Sequence, residues 1–172
     1  MLTEDDKQQL VELLFPPVLK PDGSLDSGSF VLGVEWSEED NMRKYLTPKQ
    51  RERLEKKGTT VCAVTINMGS LKKAAMGISK DEPIELDDKF LILANIKMNF
   101  HQAGTSLCHE LGHVVGTTLE DDPSEEFAET WAFYRILNAD MPVEERLKFL
   151  GHIDSELIDV SKLDPSKLDG LA

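Results

Sequence analysis

The sequence predicts an α+β fold, and three observations carry that expectation. Three segments rich in apolar and β-branched residues, 30–36 (FVLGVEW), 60–67 (TVCAVTIN) and 89–100 (KFLILANIKMNF), read as strands. Helical patterns with recognisable start and stop signals lie between and after them. The longest apolar run is far short of a membrane span, so the helices belong to a packed core and not to a bilayer.

Taken in order, Thr3 can cap a helix over residues 3–15 whose apolar side is Leu10, Val11, Leu13 and Leu14. Three prolines with glycines and serines then make residues 15–29 a loop or linker. After the first strand, Thr47 as N-cap, Pro48 at the first position and Gly58 at the end frame a helix. A polar connection follows the second strand over residues 70–88. In the third strand, Leu91, Ile92 and Leu93 read as buried on both faces, and the alternation of Asn95, Ile96, Lys97 and Met98 leaves one face exposed. A helix over 102–115 comes next, with Gly116 as its stop. Another opens at Asp122 and Pro123, and at least one more covers "VEERLKFLGHIDSELI". The division expected is an N-terminal helix and linker (1–29), one compact domain (30–160) and a loosely docked tail (161–172).

At 172 residues the chain suits one well-packed domain. The net charge of −13 excludes the basic face that a nucleic-acid binder needs and disfavours an anionic membrane surface. Arg51, Arg53, Lys56 and Lys57 read as a solvated helix face. Two cysteines, Cys62 and Cys108, are too few for a disulfide framework. The first residues, MLTEDDKQQL, lack a basic segment followed by an apolar one, so a reducing, cytosolic setting is expected, although secretion without a cleavable signal leaves no trace in a sequence.

His109-Glu110-Leu111-Gly112-His113 is an HExxH motif. At about 100° per residue, positions i and i+4 lie about 40° apart on one helix face. Two imidazoles can then reach one Zn2+ from the same side. Glu110 lies about 100° round from His109, beside the ion, where its carboxylate can take a proton from a water activated by the metal. Leu107, Leu111, Val114 and Val115 form the opposite, core-facing arc. Gly112 lowers helix propensity and leaves space beside the metal.

A catalytic zinc site takes a third protein ligand. The position ten residues after His109, where some zinc proteases carry a third histidine, is Leu119. Cys108 points away from the ligand face and reads as a small core thiol. The downstream acids Glu125, Glu126 and Glu129, in SEEFAETWA, are the candidates. HExxH followed by E-x-x-A-E-x-aromatic resembles the gluzincin-type, zincin-like zinc metallopeptidases, including the anthrax lethal factor catalytic domain and ImmA/IrrE-type peptidases. ILNADMP (136–142) faintly resembles the LLMP that closes the latter segment. The resemblance covers residues 91–142. It implies a zincin-like domain, with a small mixed sheet packed on the HExxH helix and on a following ligand helix. It also implies Glu125 as the third ligand, with Ala128, Glu129 and Trp131 at the small, acidic and aromatic positions. Asp122 and Glu125 have capping-box spacing; with Glu125 so engaged, Glu126 or Glu129 would be the ligand. With Glu125 as ligand, Glu129 stands one turn on and can accept an imidazole N–H from His109 or His113.

The function expected is zinc-dependent hydrolysis of peptide bonds, with Glu110 as general base, His109, His113 and Glu125 on Zn2+, and a peptide or protein as substrate. The rival readings are a non-catalytic zinc-stabilised interaction module and another metal-dependent amide hydrolase. A deformylase would need a Gly-Cys-Leu ligand loop, and Cys62 in TVCAV does not match it. Tyr134, His101 and His152 are candidates for the oxyanion donor, with none assigned. Either 90–99 or 60–67 is the strand that borders the cleft and pairs with an extended substrate.

Overall fold

The computed structural model describes residues 2–14, 31–46, 48–58, 61–67, 90–117, 122 and 124–162. The expected linker, Thr47, the polar connection over 70–88 and the tail beyond 162 lie outside these residues. Along the chain run α1 (Glu4–Leu14), β1 (Val31–Ser37), α2 (Glu39–Arg43), α3 (Pro48–Lys57), β2 (Ala63–Asn67), β3 (Phe90–Asn95), α4 (Phe100–Val115), α5 (Glu125–Asn138) and α6 (Val143–Leu150). Two short 3-10 turns, Ser155–Leu157 and Val160–Lys162, follow. The expected α+β class holds. Among the described residues, no helix is long and apolar enough to cross a membrane.

The three strands form one mixed sheet in the order β1-β3-β2, with β1 parallel and β2 antiparallel to β3. Side-chain alternation sorts it into two faces. Phe90, Ile92 and Ala94 of β3, with Val34 and Trp36 of β1, share a core with α1, α4, α5 and Phe149 of α6. Val64, Ile66 and Leu93 turn the other way and pack with Val61, just before β2, and with Met42, Leu46 and Leu54 of the α2–α3 region. β3 stops five residues earlier than its apolar run. Asn95 is the cause: its backbone N–H donates to Cys62 O at 2.9 Å, its side-chain amide donates to Val61 O at 2.9 Å, and its Oδ1 accepts from Lys97 N–H at 2.9 Å. A turn at Ile96–Lys97 leads from there into α4.

The capping chemistry explains where the helices begin. Thr3 Oγ1 accepts from Asp6 N–H at 3.1 Å and Asp6 Oδ2 accepts from Thr3 N–H at 3.0 Å, a reciprocal cap on α1. Asn99 Oδ1 accepts from Gln102 N–H at 2.9 Å, so α4 starts two residues ahead of the expected point. For α5 the expected cap is corrected. Ser124, not Asp122, is the N-cap and accepts from Phe127 N–H at 3.1 Å; Asp122 instead accepts from Ser124 N–H. Glu125 is therefore the first helical residue. Arg135 of α5 donates to the carbonyls of Leu14 and Leu13 at 3.0 and 3.1 Å, closing the C-terminal end of α1, which has no basic residue of its own there.

α4 and α5 pack face to face, and Gly112 sets how closely. A Cβ at Gly112 would lie 2.5 Å from Ala128 O and 2.8 Å from Ala128 Cα. The space that Gly112 leaves is thus filled by the backbone of α5 and not by an ion. Gly116, at φ −61°, is required for the same reason: a Cβ there would meet Asp122 O at 2.2 Å. Gly112→Ala is expected to destabilise the fold by about 1–3 kcal/mol through overpacking, read by urea unfolding. Gly151→Ala, where a Cβ meets its nearest neighbour at 3.4 Å, is expected to stay within about 0.5 kcal/mol.

Candidate metal centre

α4 presents His109 and His113 on one face, one turn apart, and α5 brings Glu125 to meet them from its first turn. His109 Nε2 lies 3.1 Å from His113 Nε2 and 2.7 Å from Glu125 Oε2, and His113 Nε2 lies 3.3 Å from Glu125 Oε1. One ligand atom from each residue lies within 4.8 Å of the others. Glu129, one turn along α5, places Oε1 at 3.3 Å from His109 Nδ1, while its Oε2 accepts from Asp154 N–H at 3.3 Å. Glu110 is 9 % exposed, and Thr65 of β2 donates its hydroxyl to the Glu110 carboxylate.

These groups line a cleft of about 510 Å³ between α4, α5 and the outer edge of β2. Burial opposes a charge on His109, but the carboxylates of Glu125 and Glu129, with Glu110 nearby, outweigh it and raise its pKa to about 10. Burial likewise opposes the charge on Glu125, and its hydrogen bonds to His109 and His113 hold its carboxyl well below the usual carboxylate range. The two carboxylates beside the imidazoles favour a cation at this point.

The donor set fits zinc. Ligand atoms about 2.0–2.2 Å from a tetrahedral Zn2+ stand about 3.3–3.5 Å apart. The His109 Nε2–His113 Nε2 spacing of 3.1 Å falls within a few tenths of an ångström of that, and Glu125 meets the two rings through different oxygens. The His109 Nε2–Glu125 Oε2 contact, at 2.7 Å, is shorter. Two imidazoles and a carboxylate would leave a fourth position facing the cleft, and Glu129 fixes the ring of His109 from behind. A metal and the imidazolium proton exclude each other, since an imidazole ligand must be neutral.

The other candidates separate clearly. Glu126 is exposed and is not part of the cluster. Cys108 is fully buried, and burial pushes its thiol pKa up to about 12. His101 is 2.7 Å from Glu145 Oε2 of α6, and Tyr134 is half-buried against the core beside Phe133, so neither lines the cleft. His152, just past α6, does line it. Of the two strands considered for the cleft border, β3 is central in the sheet, and β2 lines the cleft through Ala63, Val64 and Thr65. The sequence did not single out Thr65. Its signal was the alternation of β2, which turns Thr65 to the same face as its partner Ile92 and so toward α4. The amide of Asp154 carried no such signal, because a backbone donor is not encoded by residue type.

Comparison with protein-family models, curated proteins and solved structures found no match for this chain. The reading of this centre stands on the motif residues and their geometry. Saturating Zn2+ is expected to raise the thermal unfolding midpoint and excess chelator to lower it, a coupling of about 4 kcal/mol at a thousand-fold excess over Kd. Glu125→Ala is expected to lose most of this increment, measured by scanning calorimetry with and without Zn2+.

Proposed function

We propose that this protein is a zinc-dependent metallopeptidase of zincin-like type. The observation that carries the reading is a general-base glutamate beside a convergent His-His-Glu set, on the floor of a cleft bordered by a strand edge. Zn2+ held by His109, His113 and Glu125 supplies a Lewis acid that polarises a carbonyl and makes water acidic enough to attack at neutral pH.

The chain's own residues supply the rest. Glu110 takes one proton from the attacking water as its oxygen bonds to the carbonyl carbon. It then hands that proton to the amide nitrogen as the C–N bond breaks, so atoms and charge balance. Thr65 holds the Glu110 carboxylate by a hydrogen bond and keeps it turned toward the cleft. Glu129 accepts from His109 Nδ1, which leaves Nε2 as the ligand atom. β2, which has no further strand beside it among the described residues, supports a peptide substrate in particular, because an edge strand can pair with an extended chain. His152 is the residue of the three considered whose position suits an oxyanion donor.

An intact general base has no use in a purely structural zinc site. Glu110→Gln is expected to lower peptide hydrolysis by about 10²-fold or more while one zinc per chain is retained. The assay follows fluorogenic peptides, with metal content measured on the same sample. Full activity in the variant would sink the reading. Thr65→Val is expected to reduce kcat by about ten-fold, because it frees the base while keeping the shape of a side chain that lines the cleft.

A further inference from the structure

We propose that residues 151–162 form a strap whose order is coupled to the metal centre. Glu129 links the two, and Thr130 is the positioning residue that keeps the strap, and with it His152, against the cleft. The inference rests on the reading of His109, His113 and Glu125 as metal ligands.

Polar contacts hold the strap more than the core does. None of residues 151–162 is buried, and Ile153 packs on the core from a half-buried position. Bonds within the strap give it its shape. Asp154 O accepts from Leu157 N–H at 3.1 Å, Asp154 Oδ1 accepts from Glu156 N–H at 3.1 Å, and Asp159 Oδ1 accepts from Ser161 N–H at 3.1 Å. Where the strap lies depends on three other contacts. Asp154 N–H donates to Glu129 Oε2 at 3.3 Å, Asp159 N–H donates to Thr130 Oγ1 at 2.9 Å, and Lys162 Nζ lies 3.5 Å from Asp122 Oδ2. The last is a solvent-exposed pair and adds little. Two neighbouring residues of α5, Glu129 and Thr130, are thus the main polar anchors. A segment with so few buried contacts opens locally at low free energy.

Glu129 is the anchor that senses the metal. It is buried, and its two oxygens serve two partners: Oε1 meets His109 Nδ1 at 3.3 Å, and Oε2 meets the Asp154 amide. His109, once held at Nε2 by a metal ion, keeps its one proton on Nδ1 and can no longer turn its ring. That fixes Glu129 Oε1, and through the planar carboxylate it fixes Oε2 in front of Asp154. A His109 ring free to turn leaves the Asp154 amide without a fixed acceptor. Thr130 stands apart from the metal: it is fully buried and does not line the cleft. His152, just before Asp154 in the chain, does line the cleft, together with Glu125 and Glu129. The order of the strap therefore sets whether His152 faces the metal centre. The coupling is reciprocal, so a strap in place also favours the metal-bound arrangement.

The test is amide-resolved hydrogen exchange of the full chain, zinc-loaded and chelated, with zinc content and peptide hydrolysis measured on the same samples. In the wild type, zinc is expected to slow exchange at Asp154 and Asp159 by about ten-fold, the order of one net hydrogen bond. In Glu129→Gln at saturating zinc that slowing is expected to vanish, because an amide has one acceptor oxygen where the carboxylate has two. In Thr130→Val the strap is expected to exchange fast with and without zinc, at one zinc per chain, and kcat falls. Thr130→Ser, which keeps the hydroxyl, restores both. In a His152→Ala background, Thr130→Val is expected to lower kcat no further, since it acts through His152. Equal strap exchange in zinc-loaded and chelated wild type, with zinc bound, overturns the proposal. So does wild-type strap exchange in Thr130→Val. Zinc-dependent protection in a protein that cleaves no peptide keeps the coupling and overturns the peptidase reading. A wild type that binds no zinc overturns the metal reading, and the coupling falls with it.

Discussion

The close approach of α4 and α5 at Gly112 and Ala128 is the constraint on which the rest of this molecule depends. A ligand set drawn from two helices is only as good as the distance between them. Here backbone meets side-chain-free backbone, and any Cβ at Gly112 would collide with Ala128. Glu125, about one turn before that contact, and Glu129, the residue after it, are thereby brought to His109 on opposite ring nitrogens. Ser124 takes the capping role, and the Glu125 carboxylate meets the two imidazoles.

Around this contact the fold spends its polar groups on fixing positions. Arg135 ties α1 to α5, and Asn95 sets where β3 ends and how β2 lies beside it. Asp154 N–H reaches Glu129, Asp159 N–H donates to Thr130 Oγ1 at 2.9 Å, and Lys162 lies 3.5 Å from Asp122. The segment after α6 thus straps α5 from outside. The acids of the cleft repel one another unless a cation sits among them, so assembling the site and binding a cation are parts of one equilibrium.

Much of this was legible in the sequence, for physical reasons. Helix geometry alone puts His109 and His113 together, because spacing on one helix is a local property. The strands were visible as β-branched runs, although their ends were not: the run through Phe100 looked continuous until Asn95 turned its side chain onto Val61 O. Glu125 came from a resemblance of motif, and local signals misdirected its surroundings, since Asp122–Pro123 is as good a start signal as Ser124. Thr65, the Asp154 amide and the order of the strands depend on contacts tens of residues apart. So does the role of Gly112, which reads from the sequence as a helix weakness and proves to be the point of closest packing. A single sequence has no local signature for such contacts.

The measurement that bears most directly on the account is anomalous diffraction at the zinc edge from crystals of the zinc-loaded wild-type protein. The account predicts one strong zinc peak per chain, bounded by His109 Nε2, His113 Nε2 and a Glu125 oxygen at about 2.0–2.2 Å, with Glu129 outside bonding distance and the fourth side open to the cleft. A peak elsewhere, no peak under saturating zinc, or a zinc ion held by Glu129 in place of Glu125 would contradict it.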